Sequence, residues 1–182
     1  EWNALDKQIY IMAKDKDRVR MYSLNPSNGK IKQLQAKEDV ISDYSIANQA
    51  FEMVYFGLSA SNSQRLYTYN LKNDASSCLI DLSKEILRDV TLGEVQDWNF
   101  VSAQGDTIYG RFYLPPHFDA TKKYPMIVNY YGGTTPTARV MESRYPSHVY
   151  AGLGYIVYII QPSGATGFGQ EFSARHVNAW GK

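Results

Sequence analysis

The sequence predicts a mixed fold, with antiparallel β structure over residues 1–94 and the start of an α/β sheet from residue 95 onwards. Short alternating segments separated by turns fill the first part, whereas the second part runs strand, glycine loop, helix and buried strand. The chain also holds 15 tyrosines among its 182 residues. Tyrosine at that density favours half-buried β structure.

The composition is that of an ordinary globular protein, long enough for one large domain or two small ones. It is 44% hydrophobic, with 19 basic and 18 acidic side chains and a net charge of +1. This balance gives no electrostatic footprint for nucleic acid or an anionic membrane, and no apolar run approaches the ~20 residues of a membrane helix. The lone Cys78 predicts neither an internal disulfide nor a cysteine-based metal site. We therefore expect no metal and no cofactor.

The first part contains two similar groups of strands. In the first group, strands are predicted at residues 8–12 and 19–24. Asn28-Gly29 predicts the hairpin turn before a returning strand at 31–34, because both residues tolerate a positive φ. The second group repeats this pattern, with strands predicted at 53–56, 65–71 and 77–80.

The spacing between the two groups indicates a repeat. Tyr22 and Tyr69 occupy equivalent positions about 47 residues apart, close to the period of a four-stranded propeller blade. Two blades of a β-propeller are one interpretation, and a β-meander or a sandwich with two similar hairpins is the other. One or two blades cannot close a ring, so the propeller interpretation implies that further blades precede this chain.

From about residue 95 the pattern becomes that of an α/β sheet. Strands are predicted at 98–102, 107–114, 126–130 and 155–160, and helices at 146–153 and 170–179. Pro115-Pro116 ends the second of these strands, because proline cannot donate to a strand ladder, and Gly154 closes the first helix. Residues 155–160 form a continuous apolar run of the kind that is buried on both faces of a sheet.

The segment Tyr130-Tyr131-Gly132-Gly133-Thr134 follows directly after a predicted strand. Glycines there let the backbone turn sharply and approach a substrate closely. The hydroxyl of Tyr131 or a backbone N–H of this loop could stabilise a developing oxyanion, which is worth on the order of 10²–10³ in rate. The alternative is a simple tight turn in which Tyr131 is a core aromatic residue.

A second glycine-rich loop, residues 161–172, follows the buried strand. Its order matches neither the dinucleotide fingerprint nor a Gly-Lys-Ser/Thr phosphate loop, so nucleotide binding is not predicted. The remaining interpretation is a structured loop at the carboxyl end of a sheet strand, which is where sheets of this type usually bind ligands.

The chain lacks a complete set of residues for nucleophilic catalysis. No Gly-x-Ser-x-Gly elbow is present, and the nearest candidate, Ser59, lies in the repeat region. His117 follows the proline pair and is predicted to be exposed, whereas His148 and His176 fall on predicted helices. We predict structural or solvated roles for all three histidines.

A series of short segments then becomes specific when taken in order: Gly105-Asp106-Thr107-Ile108-Tyr109-Gly110, Tyr113-Leu114-Pro115, Lys123-Tyr124-Pro125-Met126-Ile127-Val128, Tyr131-Gly132-Gly133, Gly152-Leu153-Gly154-Tyr155-Ile156-Val157, the loop 164–172 and Trp180-Gly181. This series resembles the entry into the catalytic domain of the prolyl oligopeptidase family of serine peptidases. The resemblance covers residues 95–182 closely, and residues 1–94 more loosely as the end of the family's propeller.

The resemblance implies a β-propeller, present here in part, followed by the N-terminal part of an α/β-hydrolase domain with a Ser-Asp-His triad. Chain order in such hydrolases is nucleophile, acid, histidine, and all three are expected beyond the loop ending here. Tyr131 matches the position where some family members have a tyrosine whose hydroxyl helps to hold the oxyanion, and Gly132 belongs to the same oxyanion loop. The expected partner is a short peptide, cleaved with dipeptidyl or prolyl preference, and the chain by itself is expected to be inactive.

Two departures from the family pattern concern this region. Thr134 stands where proline is usual, and Gln161-Pro162-Ser163 stands where Asn-Pro-Arg or Asp-Gly-Arg is more typical. The missing arginine puts the geometry of that loop in question, not the family.

Two other functions stay open at this point, an esterase of the α/β-hydrolase type and a non-catalytic binding module built from β blades. The module predicts that residues 95–182 form no parallel sheet. The resemblance leaves a homodimer of the longer protein open and favours a periplasmic or extracellular location.

Overall fold

The structure, a computed structural model, describes residues 1–103 and 105–179. It divides the chain into two compact units, Glu1–Arg88 and Asp89–Lys182. The division lies between residues 88 and 89, and the first strand of the second unit begins at Val95, the residue at which the sequence pattern changes. Trp180-Gly181, the end of the family-like series, lies outside the described residues.

The first unit is built on one sheet of eight strands: β1 Trp2–Asn3, β2 Gln8–Asp15, β3 Arg18–Leu24, β4 Ile31–Gln33, β5 Val40–Ile46, β6 Glu52–Ser59, β7 Asn62–Asn70 and β8 Ala75–Asp81. β1 to β4 pair antiparallel in chain order, and β5 to β8 do the same. The two four-stranded groups meet at a parallel bridge between Val19 and Val40. A short helix, α1 Ser83–Ile86, follows β8.

All six strands predicted in the two groups are present, but the first strand of each group was missed. β1 has only two residues, which is too short for a pattern. β5 has a bulge at Ser42, where the register shifts between Ile41 and Asp43. Ser42 and Asp43 are both exposed at this bulge, and Val40 and Ile41 before it are both buried, so the alternation that identifies a half-buried strand is lost.

Tyrosines form much of the core of the first unit. The buried cluster comprises Tyr10, Met21, Leu34, Ile41, Met53, Tyr55, Tyr67 and Tyr69. Tyr55 and Tyr69 accept hydrogen bonds from the backbone N–H groups of Lys37 and Gln35, in the segment that joins β4 to β5. Because a buried phenol needs a polar partner, these contacts explain how a core can hold so many tyrosines.

The described residues of the second unit form six strands and two helices: β9 Val95–Asp97, β10 Phe100–Val101, β11 Thr107–Ile108, β12 Gly110–Tyr113, β13 Met126–Asn129, α2 Ser147–Gly152, β14 Ile156–Ile160 and α3 Gln170–Ala174. Four of the strands form a mixed sheet in the order β13-β14-β12-β9, and β10 pairs separately with β11. β13 and β14 are parallel neighbours, whereas β12 is antiparallel to both β14 and β9. The helix α2 lies between β13 and β14 in the chain, which gives a βαβ unit.

Two predicted strands of this unit are each interrupted. The strand predicted at 98–102 is replaced by β9 and β10, because the ring of Trp98 packs on Phe112 and Tyr158 at centroid distances of 5.4 Å and Asn99 accepts a hydrogen bond from the N–H of Gly110. The strand predicted at 107–114 divides at Tyr109. β11 pairs with β10, whereas β12 pairs into the mixed sheet.

The other predicted elements are present with small shifts. β14 is buried as expected, with Val157, Tyr158 and Ile159 at most 6% exposed, and Gly154 has a φ of +94° after α2. The helix predicted over 170–179 is shorter, because α3 ends at Ala174 and a series of turns follows. Arg175, the next residue, forms an ion pair with Asp106 at 2.6 Å.

Candidate functional site

The candidate site lies where the parallel strands β13 and β14 end. Their carboxyl ends point to the same edge of the sheet, as register pairs such as Asn129 with Ile159 require. Each strand is followed by a long connection, residues 130–146 after β13 (the Tyr131 loop) and residues 161–169 after β14 (the glycine loop). In a sheet of this type, loops at this edge are the usual position for ligands.

Tyr131 projects from the start of the Tyr131 loop into solvent. Its side chain is 57% exposed, and within residues 1–103 and 105–179 its hydroxyl has no hydrogen-bond partner. The prediction that it could be a core aromatic residue is therefore wrong. Its ring lies over Gly133, where an added Cβ would stand 2.6 Å from Cε1 of the ring, whereas Gly132 has open space around it.

A pocket of about 340 Å³ opens beside Tyr131. Its lining includes Tyr130, Thr135, Pro136, Thr137 and Tyr145, and the described lining residues carry no charged side chain. Tyr130 and Tyr145 are 64% and 53% exposed. Exposed aromatic surface around a concave site is suited to the uncharged parts of a ligand.

Gln161, a buried residue of the glycine loop, links the two loops by hydrogen bonds to the Tyr131 loop. It is the first residue after β14 and is fully buried. Its side-chain Oε1 accepts a hydrogen bond from the N–H of Thr137 at 2.8 Å, and its Nε2 donates to the carbonyl oxygen of Thr137 at 2.9 Å. The N–H of Thr166 donates to the carbonyl oxygen of Thr134 at 2.8 Å, which gives a second link between the loops.

Arg111 reaches the same part of the Tyr131 loop from β12. Its side chain is 1% exposed. The guanidinium donates to the carbonyl oxygens of Thr137 and Ala138, at 3.2 and 2.6 Å, and to the hydroxyl of Tyr113 at 3.2 Å. Sequence reasoning missed this residue, although an arginine within a short, otherwise apolar strand was an available signal.

The histidines are placed largely as predicted. His117 is exposed, with a φ of +58°. His148 lies on α2, and its ring contacts Tyr113 edge-on at 5.0 Å. His176 lies beyond the end of α3 instead of on it, and its Nδ1 is 3.1 Å from the carbonyl oxygen of Ser163. Its ring also occupies the space beside Gly164, where an added Cβ would meet Nδ1 at 2.1 Å.

Ser59, the nearest match to a nucleophile elbow, has a turn-forming role. It ends β6, and its hydroxyl donates to the side chain of Asn62 across the turn to β7. The described part of the chain contains no cluster of three or more His, Cys, Asp or Glu side chains that could hold a metal. It also contains no helix with the length and apolar character needed to cross a membrane.

Comparison with known proteins gives a consistent set of relatives. No protein-family model matches the chain. The chain is 29% identical over 174 residues to dipeptidyl-peptidase 5 of Porphyromonas gingivalis, which covers 95% of this chain and 25% of that protein. It is 28% identical over 193 residues to a probable dipeptidyl-peptidase 5 of Aspergillus terreus, covering 97% of this chain and 25% of that protein. The chain thus spans about a quarter of the length of the curated relatives it matches.

Solved structures share the fold. An acylaminoacyl peptidase of Pyrococcus horikoshii superposes with a TM-score of 0.76 at 19% identity, over 93% of this chain and 26% of that one. Dipeptidyl peptidase 4 of Porphyromonas gingivalis gives a TM-score of 0.73 at 16% identity, over 94% of this chain and 25% of that one. These similarities confirm that the chain resembles, along nearly its whole length, a segment of the prolyl oligopeptidase family of serine peptidases.

Proposed function

We propose that this chain supplies the oxyanion side of the active site of a serine peptidase that hydrolyses short peptides. The observation that carries the proposal is Tyr131, an exposed tyrosine that follows a parallel strand, with its ring over Gly133 and its hydroxyl without a hydrogen-bond partner among the described residues. The pocket beside it gives a peptide room to bind. The similarity to dipeptidyl-peptidase 5 proteins supports peptide bonds as the substrate and the release of dipeptides as the reaction.

The chemistry divides between this chain and the rest of the enzyme. A serine outside these residues attacks the peptide carbonyl carbon while a histidine takes its proton, and the carbonyl π electrons move onto oxygen. The Tyr131 hydroxyl and the N–H of Gly132 donate hydrogen bonds to that oxyanion. The histidine then returns the proton to the leaving amine as the C–N bond breaks, and water hydrolyses the acyl-enzyme by the same route.

The proposal includes an assignment of the chain to two domains. We assign residues 1–94 to the C-terminal part of a β-propeller and residues 95–182 to the N-terminal part of an α/β-hydrolase domain. The two successive four-stranded antiparallel groups support the first assignment, and the βαβ unit of β13, α2 and β14 supports the second. The parallel pair also disfavours the pure binding module, which required that no parallel sheet form here.

Substitution of Tyr131 tests the proposal in the longer protein that carries this chain. Tyr131→Phe removes only the hydroxyl, so we expect kcat to fall by about 10²–10³ with KM little changed, because the oxyanion exists only in the transition state. Tyr155→Phe is the matched control, since this tyrosine is 37% exposed and lies outside the site. An unchanged kcat in Tyr131→Phe contradicts the proposed role.

The placement of the nucleophile has a separate test. The 182-residue chain is treated with a fluorophosphonate, which tags activated serines, and its intact mass is measured. We expect an unmodified mass and no turnover of a proline-containing chromogenic peptide. A stoichiometric adduct, or detectable turnover by the pure chain, would place the nucleophile within these residues and overturn this part of the proposal.

A further inference from the structure

Two buried polar side chains bind the same short stretch of the Tyr131 loop. We propose that Gln161 and Arg111 are positioning residues that fix the location of the Tyr131 hydroxyl by holding the backbone of Thr137 and Ala138. This inference rests on the proposed function, because it assigns these side chains a role in the same oxyanion site.

Gln161 binds Thr137 in the manner of a neighbouring strand. Its amide oxygen and nitrogen satisfy the N–H and the carbonyl of that one residue, at 2.8 and 2.9 Å. The same reciprocal pair joins two residues across an antiparallel ladder. Because Gln161 is fully buried, an apolar replacement leaves the N–H of Thr137 without this acceptor and its carbonyl oxygen with Arg111 as the remaining donor, so the loop is held less firmly.

Arg111 adds a second restraint, which shares the carbonyl oxygen of Thr137 with Gln161 and extends to Ala138. Its guanidinium donates to two consecutive carbonyl oxygens, those of Thr137 and Ala138. A planar fork with several donors suits two neighbouring acceptors, which a lysine ammonium cannot match in the same geometry. Arg111 is 1% exposed, and burying its charge is costly unless hydrogen bonds compensate it. Any movement of the two carbonyl oxygens would break those hydrogen bonds, so the buried guanidinium opposes such movement.

These restraints reach Tyr131 through a short stretch of backbone. The loop leaves β13 at Asn129 and is fixed again at Thr134, where Thr166 donates to its carbonyl, and then at Thr137. Only residues 130–133 lie between β13 and the first of these bonds. Two of those residues are glycines, whose backbone is the least restrained of any residue type. The position of the Tyr131 hydroxyl therefore depends on how the backbone beyond this span is held, by Thr166 at residue 134 and by Gln161 and Arg111 at residues 137 and 138.

A double-mutant cycle in the longer protein tests the proposal with Tyr131→Phe and Gln161→Met, singly and together. Gln161→Met keeps the side-chain length but removes both hydrogen bonds. We expect it to lower kcat by about 10–10² with KM within a few-fold, because a displacement of about 1 Å of a catalytic group costs that much in rate. In the Tyr131→Phe background the same change should cost less than about 3-fold, since coupled residues are not additive.

Hydrogen exchange of the Tyr131 loop supplies a readout that does not use activity. Residues 130–138 should exchange faster in Gln161→Met than in the parent, with exchange in β14 unchanged. Gln96→Met is the matched control, because Gln96 is an exposed glutamine on β9, and it should leave kcat and exchange in the loop as they are.

The outcomes separate the two proposals. An unchanged kcat in Tyr131→Phe rejects the proposed function itself. If Tyr131→Phe is slow but Gln161→Met costs the same factor in both backgrounds, or nothing in either, then Gln161 does not act through Tyr131 and the inference is overturned. If Gln161→Met does not fold, Arg111→Lys replaces it in the cycle, since it keeps the charge while losing the two-carbonyl fork, and the same criteria decide.

Discussion

Gly133→Ala is expected to slow the proposed peptidase while leaving its stability almost unchanged. The added Cβ would stand 2.6, 3.2 and 3.4 Å from three atoms of the Tyr131 ring. Because unstrained carbon–carbon contacts lie near 3.5–4.0 Å, the ring must retreat by about 1 Å. Tyr131 is 57% exposed, so it can move without disturbing the core. We therefore expect a loss of less than about 1 kcal/mol in the free energy of unfolding.

The consequence for catalysis is much larger than that for stability. A displacement of about 1 Å moves the hydroxyl out of hydrogen-bond reach of an oxyanion, and a misplacement of this size costs on the order of 10²-fold in rate. In the longer protein, kcat, KM and the thermal midpoint are measured for Gly133→Ala and for Gly152→Ala. Gly152 is the matched control, because it lies on α2 with open space around it, where alanine favours the helix.

A wild-type kcat in Gly133→Ala, with Gly152→Ala also normal, would refute the reasoning. It would mean that the ring position imposed by Gly133 is not the one used in catalysis. A large fall in the thermal midpoint would refute it differently, because it would show that the ring is not free to move.

Three predictions concern stability. Tyr55→Phe should lower the free energy of unfolding in urea by about 1–3 kcal/mol, because its buried hydroxyl donates to Ser76 at 2.9 Å and also accepts a backbone N–H. Hydrogen bonding to Arg65 is the main cause that lowers the pKa of Asp81 from its ordinary value. Asp81 thus adds stability above pH about 4 that is lost as the pH falls through its folded-state pKa, so Asp81→Asn should be less stable at pH 7 by under about 1 kcal/mol. Gly110→Ala should cost about 1–3 kcal/mol, because its Cβ would stand 2.5 Å from a packed tyrosine ring and 2.7 Å from a backbone carbonyl of β14.

Each of these stability predictions has a control. Tyr155→Phe should be nearly neutral in urea, and a loss equal to that of Tyr55→Phe would contradict the hydrogen-bond argument. For Asp81→Asn, the difference from the parent must shrink as the pH falls below about 4, the ordinary pKa of an aspartate, and a difference that persists in strong acid would have another cause. Gly152→Ala separates steric overlap at Gly110 from the general effect of adding a methyl group.

The sequence could predict the strands that form short apolar or alternating runs between turn residues. β2, β3, β6 and β7 are of this kind, and the Gly154 turn follows from the need for a positive φ. Where a bulge or a packed aromatic ring intervenes, the pattern fails, as at Ser42 in β5 and Trp98 between β9 and β10. These interruptions arise from tertiary contacts that short windows of sequence do not contain.

Tertiary contacts also limited what the sequence could predict about the candidate site. Tyr131 and Gly132 were singled out because they follow a predicted strand directly, and their role in an oxyanion site stays a prediction. The parallel pairing with β14 brings a second loop beside them. The roles of Gln161 and Arg111 were not predictable, because their partners lie 24 and 26 residues away in the chain. Gln161 was noticed only as a departure from the family pattern.

The two departures from the family pattern, at Thr134 and at Gln161, concern the same stretch of backbone, because Gln161 binds Thr137. A proline at position 134 would fix its own φ and restrict Gly133 before it, whereas Thr134 does neither. The loop in this chain is instead held by hydrogen bonds to its backbone, from Thr166 at residue 134 and from Gln161 and the arginine of β12 just beyond it. In this chain, hydrogen bonds from the surrounding residues thus restrain the loop in place of a proline at position 134. This is the reason to expect that kcat of the proposed peptidase is sensitive to Gln161, a fully buried side chain that does not line the pocket.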